Sequence, residues 1–447
     1  MSTSVYLETH GCQMNVADTE RALDRLRAAG YAITASVVDA DVVLFNTCSI
    51  RERAAQKVFN RIGEVRRARA ASSPVIGVMG CVAQLEGTAI FDHTPTVDLV
   101  VGTRATDRLP ELLARAQRGE KAFDLGERGE LDTWSMVSAA RHSPYIAFVP
   151  IIEGCNKFCS YCIVPYSRGR EKSRVARDIV ADITKLRDEG FREVHLIGQN
   201  VNSYRPRSFE GLESVSGATP FSRLLRAVAT TGMERIKFAT SFPRDFHSDI
   251  VAAIEEHDNL CNWVHLPVQS GNDRILRLMR RGYTAASYLK CVDVIKNAGR
   301  RLALTSDVIV GFPGETESEF EDTMRLVERC NYDGLYIFNY SERPGTPSAS
   351  LLDDVSKEEK SARFLAIEKL QRRMQRVTYE DYVGREVDVL VEGESTKSPE
   401  DMYGHSTCQK VVNFGGGRKL AGEIARVTIT KAKTNSLYGE LTSSGAR

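Results

Sequence analysis

The chain has 447 residues, 42% hydrophobic and 27% charged, with a formal net charge of +1. Its length exceeds one ordinary core and predicts two or three domains. The composition is globular and excludes a disordered chain; no stretch approaches the ~18–20 uncharged apolar residues of a membrane helix. Residues 5–9 already read as a strand where a signal peptide would lie, so a cytoplasmic protein is expected. Its ten cysteines then point to metals or catalysis before disulfides. Near-neutral net charge is silent about nucleic acid, so only local basic clusters could speak for it.

In chain order, 5–9 reads as a strand and 17–29 as a helix closed by Gly30. Residues 42–46 form an apolar strand run, followed by a charged helical stretch over 50–70. Short apolar runs recur at 75–79 and 99–101. Strands alternating with helices predict a doubly wound parallel sheet over 1–118. Residues 119–143 are polar and patternless and read as a linker. A second alternation over 144–382 has strands at 145–152, 193–197, 235–239, 263–266, 302–310 and 334–338, with helices between them. Six strand–helix units predict a partial (β/α)6 barrel. Residues 357–382 read as a long charged helix. From 383 to 447 the pattern changes to short alternating strands, which predicts a small antiparallel β-barrel of five strands.

Cys155, Cys159 and Cys162 are spaced C-x-x-x-C-x-x-C just after the first barrel strand. Active sites of parallel α/β barrels lie at that edge. Thiolates hold iron–sulfur clusters, and a full 4Fe-4S set is four. Three local thiolates leave one iron open to chelate a cofactor. A zinc knuckle or buried thiols are the plainer alternatives. Cys12, Cys48 and Cys81 are dispersed, but each follows a short apolar strand, at spacings of 36 and 33 residues. Parallel strands end on one edge, so these thiols can converge there. Buried small residues or a zinc site are the alternatives. Cys261, Cys291, Cys330 and Cys408 share no such context and read as core or surface thiols.

The spacing of the first triplet resembles the radical S-adenosylmethionine (SAM) superfamily, and the whole chain resembles its methylthiotransferases. The segments that carry this are 8–15 (ETHGCQMN), 46–52 (NTCSIRE), 154–171 (GCNKFCSYCIVPYSRGRE), 196–204 (LIGQNVNSY), 265–272 (HLPVQSGN) and 307–315 (DVIVGFPGE). The surround of Cys12 favours the branch acting on isopentenylated tRNA. Relatives acting on a ribosomal-protein aspartate or on threonylcarbamoyl-adenosine in tRNA are the alternatives. A non-catalytic zinc- or iron-bearing RNA-binding protein is a more distant one. Two positions depart from the family pattern: Phe242 stands where a histidine is usual, and His405 where an arginine is usual.

The resemblance implies two 4Fe-4S clusters, one at each triplet, and two uses of SAM. One SAM supplies the radical that takes hydrogen from carbon 2 of adenosine 37; the other donates the methyl group to sulfur held at the cluster of Cys12, Cys48 and Cys81. The implied SAM contacts are Tyr161, Gln199, Asn200, Ser241, Gln269 and Val310, the last with the turn to Phe312. Asp307 and Glu315 read equally well as cap or ion-pair residues. The implied partners are a tRNA anticodon stem-loop, a low-potential electron donor such as flavodoxin or ferredoxin, and an iron–sulfur carrier or sulfur donor. The 383–447 module is implied to be a TRAM domain, and a monomer is expected. Basic clusters offered to phosphates are Arg51, Arg53, Lys57, Arg61, Arg66, Arg67 and Arg69; Arg168, Arg170, Lys172, Arg174 and Arg177; and Arg418, Lys419, Arg426, Lys431 and Lys433.

Overall fold

A computed structural model describes residues 2–49, 52–69, 73–126 and 141–442. The chain divides into two compact units. The first comprises Met1–Ser143, Glu153–Asn156 and Cys162–Lys172; the second comprises Pro144–Ile152, Lys157–Tyr161 and Ser173–Arg447. Among the described residues no helix is long and apolar enough to cross a membrane.

The first unit is a six-stranded, wholly parallel sheet. Its elements are β1 (Ser4–His10), α1 (Gln13–Ala28), β2 (Ala32–Ile33), β3 (Val42–Thr47), α2 (Glu52–Ala68), β4 (Val75–Gly80), α3 (Cys81–Glu86), α4 (Ala89–His93), β5 (Leu99–Val101), α5 (Leu109–Gln117) and β6 (Ala122–Asp124). The strand order is β2-β1-β3-β4-β5-β6. Every residue of β3 is buried, which is why that strand reads as an unbroken apolar run. Val42 and Leu44 face α1 and α5, whereas Val43 and Phe45 face α2, α3 and α4. The stretch expected as linker therefore begins inside the sheet. Ala122–Asp124 pairs in parallel with β5, too short to leave a periodic signal. The rest of that stretch, 127–140, lies outside the described residues, as do Ile50, Arg51 and Ala70 at the ends of the expected helix.

The second unit opens with β7 (Ile146–Pro150). A loop follows, entered by β8 (Ile152–Glu153) and left by β9 (Lys172–Ser173), and it includes α6 (Val164–Ser167), which is counted with the first unit. Next come α7 (Ala176–Asp188), β10 (Glu193–Ile197), α8 (Pro220–Ala229), β11 (Arg235–Phe238), α9 (Ser248–Glu256), β12 (Trp263–His265), α10 (Asp273–Leu278), α11 (Ala285–Lys296), β13 (Ala303–Val310), α12 (Glu317–Cys330) and β14 (Gly334–Asn339). Strands β7-β10-β11 and β12-β13-β14 form two parallel sheets, joined by an Ile236–Leu260 bridge. Among the described residues β14 and β7 do not pair, so this is an open six-stranded barrel. Alternation divides each strand: Val194, Leu196, Ile236, Val264, Leu304, Val308, Leu335 and Ile337 pack outward against the helices. The residues between them face the lumen.

After the long helix α13 (Lys357–Glu380), strands β15 (Glu386–Ser395), β16 (Ser398–Ser406), β17 (Val411–Gly415), β18 (Ile424–Ala432) and β19 (Leu437–Leu441) close a barrel in the order β15-β16-β17-β19-β18. This small barrel shares one apolar cluster with Ala303, Tyr379 and Tyr382. Lys410 Nζ reaches Asp333 Oδ1 at 2.6 Å and Arg192 reaches Glu423 at 2.9 Å. These links join 383–447 to 144–382, and both lie in the second compact unit.

Candidate functional site

The order β2-β1-β3-β4 places the topological switch of the first sheet between β1 and β3, where the following connections leave for opposite faces. Ligands of open α/β sheets bind at such a crevice, beyond the carboxyl ends of the strands. Cys12 follows β1, Cys48 follows β3 and Cys81 follows β4, with His10, Thr47 and Gly80 in register on neighbouring strands. Buried Asn15 fixes this edge: its amide donates to Asn46 Oδ1 (3.1 Å) and the Thr47 carbonyl (3.2 Å), and its Oδ1 takes the Cys12 amide (3.3 Å). Asn46 donates back to the Asn15 carbonyl (2.8 Å) and to Thr19 (3.0 Å). The glycines preceding Cys12 and Cys81 follow from this packing. A Cβ on Gly11 would lie 2.4 Å from Asn15 Oδ1; one on Gly80, at φ +93°, would lie 2.3 Å from Asn46 Oδ1.

A buried cation serves this edge. Arg168 pairs with Asp18 (2.5 Å) and Glu153 (3.4 Å) and is 5% exposed. Burial would lower its pKa, but Asp18, Cys81 and Glu153 outweigh that and hold it well above the ordinary value. Cys12 is brought down to about 6, chiefly by the Cys48 hydrogen bond, with Arg168 assisting against burial. Burial pushes the Cys81 thiol up, and Arg168 opposes it. Three soft donors at neighbouring strand ends beside a fixed cation are of the type that an iron–sulfur or zinc centre uses. Among the described residues, no group of three or more His, Cys, Asp or Glu side chains stands in ready metal-holding geometry.

At the open barrel, the expected SAM residues fall on consecutive strand ends. Gln199 follows β10, and its Oε1 is buried without a hydrogen-bond partner; Ser241 follows β11, 1% exposed, and its Oγ is likewise unpartnered. Two orphaned polar atoms at the carboxyl edge fit a polar ligand, because burial without a partner costs about 1–3 kcal/mol each. Asn200 is buried and opens the short turn through Ser203. Thr240 (φ +53°) and Gln269 (φ +74°) both hold left-handed conformations after successive strands, strain that clusters where a ligand is gripped. Gln269 is fixed by backbone bonds to Asp307 and Ile309, both 2.9 Å. Val310 differs from the expectation of a ligand contact: its side chain is in the outward core and its carbonyl takes the Tyr340 amide. Tyr161 packs against the Ile275, Met279, Phe312 and Tyr340 cluster. Asp307 lies 3.4 Å from His265, and Glu315 accepts from Gly311 (2.6 Å) and Arg363 (3.1 Å), an ion-pair and turn-closing role.

Sequence reasoning missed Arg281, which follows α10. Its Nη1 lies 3.2 Å from both Cys159 Sγ and the Tyr161 hydroxyl. No motif singles it out, since the partners are more than a hundred residues away. The Phe242 ring lies beneath it, 4.6 Å from its Cζ, with Lys157 and Arg244 also over that ring.

The lumen carries Phe148 and His195, edge to face at 5.4 Å, and Trp263 stacked on His265 at 6.0 Å. Tyr336 meets His265 edge-on at 5.8 Å. Glu193 is ringed by Lys237 (2.9 Å), Arg235 (2.8 Å) and His195 (2.5 Å). Burial would raise that carboxyl, but Lys237 and Arg235 hold it well below the usual range. Tyr336 and Phe338, on the free edge strand β14, are 54% and 48% exposed.

Several basic residues offered to phosphates have structural duties instead. Arg168 and Arg174 are buried ion pairs, Arg174 with Asp182 at 2.6 Å. Arg61 pairs with Glu8 and Glu64, Arg66 donates to the Pro74 carbonyl at 3.1 Å, and Arg69 donates to the Val37 and Ala40 carbonyls. Arg51 and the Arg53 side chain lie outside the described residues.

Known proteins agree with this architecture. Residues 4–102 match the uncharacterized protein family UPF0004, 149–327 the radical SAM superfamily and 380–442 the TRAM domain. A radical SAM methyltransferase from Kitasatospora setae, with cobalamin and a [4Fe-4S] cluster bound, superposes with a TM-score of 0.57 at 12% identity. The match covers 78% of this chain and 74% of that one, a likeness of fold alone. The chain is thus a radical SAM enzyme, of a class that works with a 4Fe-4S cluster and SAM. It is 42% identical to the tRNA-2-methylthio-N(6)-dimethylallyladenosine synthase of Koribacter versatilis (98% of this chain, 97% of that one). It is 43% identical to that of Alkalilimnicola ehrlichii (99% and 98%) and 42% identical to that of Shewanella oneidensis (98% and 92%). The chain belongs to this family of tRNA methylthiotransferases.

Proposed function

We propose that the chain adds a methylthio group to carbon 2 of N(6)-isopentenyladenosine at position 37 of tRNA, using one SAM as radical source and a second as methyl donor. Cys155, Cys159 and Cys162 hold the 4Fe-4S cluster that binds SAM, and Cys12, Cys48 and Cys81 hold a second that carries the sulfur. The observation that carries this reading is the second thiol set: three cysteines end consecutive parallel strands at a switch point, beside a buried arginine. A fold that only generated radicals would not need it. When bound, the clusters supply one-electron chemistry and sulfur, which no side chain can.

The chain's own groups bind and orient. Gln199 and Ser241 offer unpartnered polar atoms to SAM, and the strained Gln269 presents its side chain from the neighbouring strand end. Carbon 2 of adenine is reachable only in an unstacked base, which an anticodon loop supplies. Tyr336, Phe338 and His265 give such a base and its isopentenyl tail an aromatic wall. A low-potential donor such as flavodoxin or ferredoxin and a sulfur or iron–sulfur carrier complete the cycle, and the chain acts as a monomer.

The test is anaerobic. The protein is reconstituted with iron and sulfide, then given reductant, SAM and isopentenylated tRNA, and nucleosides are analysed by mass spectrometry. A methylthio adduct is expected, and its absence with both clusters intact would sink the reading. Cys12→Ala should remove about half of the iron while SAM is still cleaved to deoxyadenosine.

A further inference from the structure

Arg281 is a buried cation whose counter-charge has to be identified. It is 6% exposed. Its Nε donates to the Tyr283 hydroxyl (2.9 Å), Nη1 to Cys159 Sγ and the Tyr161 hydroxyl (both 3.2 Å), and Nη2 to the Pro267 carbonyl (3.2 Å). Among the described residues no carboxylate pairs with it. The other buried arginines differ: Arg168 has Asp18 and Glu153, Arg174 has Asp182, Arg235 has Glu193 and Arg363 has Glu315. A guanidinium does not lose its proton in a protein, and burying it without an anion is unfavourable. Of its four polar partners, the Cys159 thiol is the one that becomes an anion when it ligates a metal.

The geometry is also fixed in advance. The Cys159 loop is pinned to the segment bearing Arg281, because Ser160 donates its amide to the Met279 carbonyl (3.1 Å) and its hydroxyl to the Leu278 carbonyl (2.7 Å). The Phe242 ring at 4.6 Å and the Tyr283 ring at 5.3 Å both pack against the guanidinium. Neither rotation nor solvent can readily take the charge away from the sulfur.

We propose that Arg281 is a positioning residue that balances the Cys159 thiolate in the loaded radical-generating site and raises the reduction potential of its cluster. This rests on the reading that Cys155, Cys159 and Cys162 hold a 4Fe-4S cluster. Hydrogen bonds to cluster sulfurs and nearby charge set such potentials, and a fixed cation favours the form that has gained an electron. The electron comes from the low-potential donor, and Arg281 neither gives nor takes a proton.

The test uses full-length reconstituted enzyme and two variants, Arg281→Gln and Arg281→Lys, titrated with dithionite and mediators and followed by electron paramagnetic resonance. Gln keeps a donor but drops the charge; Lys keeps the charge but loses the fork. In Arg281→Gln the reduction equilibrium constant should fall about tenfold, a drop of ~59 mV for a one-electron couple. Arg281→Lys should lie between that and wild type, and the cluster of Cys12, Cys48 and Cys81 should not shift. Loss of iron from the first site in Gln but not in Lys would also support the proposal. An unchanged midpoint with iron retained overturns it, as do equal shifts, or equal losses of iron, in both variants. The functional reading fails separately, when wild type carrying both clusters makes no methylthio product.

Discussion

At the scale of single residues, the proposed SAM site holds two polar groups without a protein partner. Ser241 Oγ and Gln199 Oε1 are buried and unpartnered, so removing either costs the apo fold little. Ser241→Ala should weaken SAM binding about tenfold, the loss of ~1.4 kcal/mol, while thermal stability of the SAM-free protein is held or raised. Equilibrium binding and a melting curve on one preparation check both halves, and a large fall in melting temperature with intact SAM affinity would make the serine structural. Arg168 behaves oppositely. Arg168→Met strands the buried Glu153 and the half-buried Asp18 as unpaired carboxylates, and breaking such a network costs about 3–5 kcal/mol. Urea unfolding of the cluster-free chain measures that. The strand-end placement of Cys12, Cys48 and Cys81 was legible because each follows a short apolar run that is local in sequence. Arg281 and the buried fate of Arg168 were not, since each depends on residues far away in the chain.

At the scale of elements, legibility followed the length of the periodic signal. The unbroken apolar run of β3 and the caps of the barrel helices announce themselves. The three-residue β6 does not, and β16 hides behind Pro399, Glu400 and Asp401, although its later residues alternate buried and half-buried. Its pairing with β15 and β17 shows that neighbouring strands, more than propensity, make it a strand. Helix α12 shows an element secured at its start. Thr316 caps it, Glu319 returns a bond to the Thr316 amide (2.9 Å), and Arg274 grips the same carboxylate at 2.5 and 2.7 Å. The Arg274 hydrogen bond, ahead of every other cause, holds the Glu319 carboxyl down at about 2, from an ordinary 4.5. A depressed folded-state pKa contributes stability that is full above the unfolded value and lost as pH falls through the folded one. Glu319→Gln should therefore destabilise the protein by about 1 kcal/mol at pH 7. That difference should shrink from about pH 5 downward and nearly vanish by pH 2. Paired denaturant curves at pH 7 and pH 3 decide it, and a pH-independent difference would mean that shape, not charge, is what Glu319 supplies.

At the scale of the whole molecule, the closed C-terminal barrel pairs several of its cations with carboxylates. Lys410 is spent inside the protein on Asp333, and His405, at a position where the family commonly has arginine, is tied to Glu392. Arg418 pairs with Glu394 and Arg426 with Asp388, both at exposed positions where pairs are worth little and exchange readily. Lys433 lies over the Tyr438 ring at 4.4 Å, a cation beside an aromatic face of the kind that single-stranded RNA uses. If this barrel grips the RNA backbone, its cations must release counterions on binding, and affinity must fall with salt. Lys433→Gln and Arg418→Gln should each weaken binding of an anticodon stem-loop at low salt. Each should also flatten the slope of log Kd against log salt by about one unit or less. Because that term is independent of sequence, the loss should be the same for isopentenylated and unmodified RNA, whereas Tyr336→Ala in the barrel lumen should hurt the isopentenylated one more. Fluorescence anisotropy between 50 and 200 mM salt, over which the Debye length falls roughly twofold around ~10 Å, separates the two surfaces. Equal slopes in wild type and both cation variants would remove the C-terminal barrel from the phosphate contacts altogether.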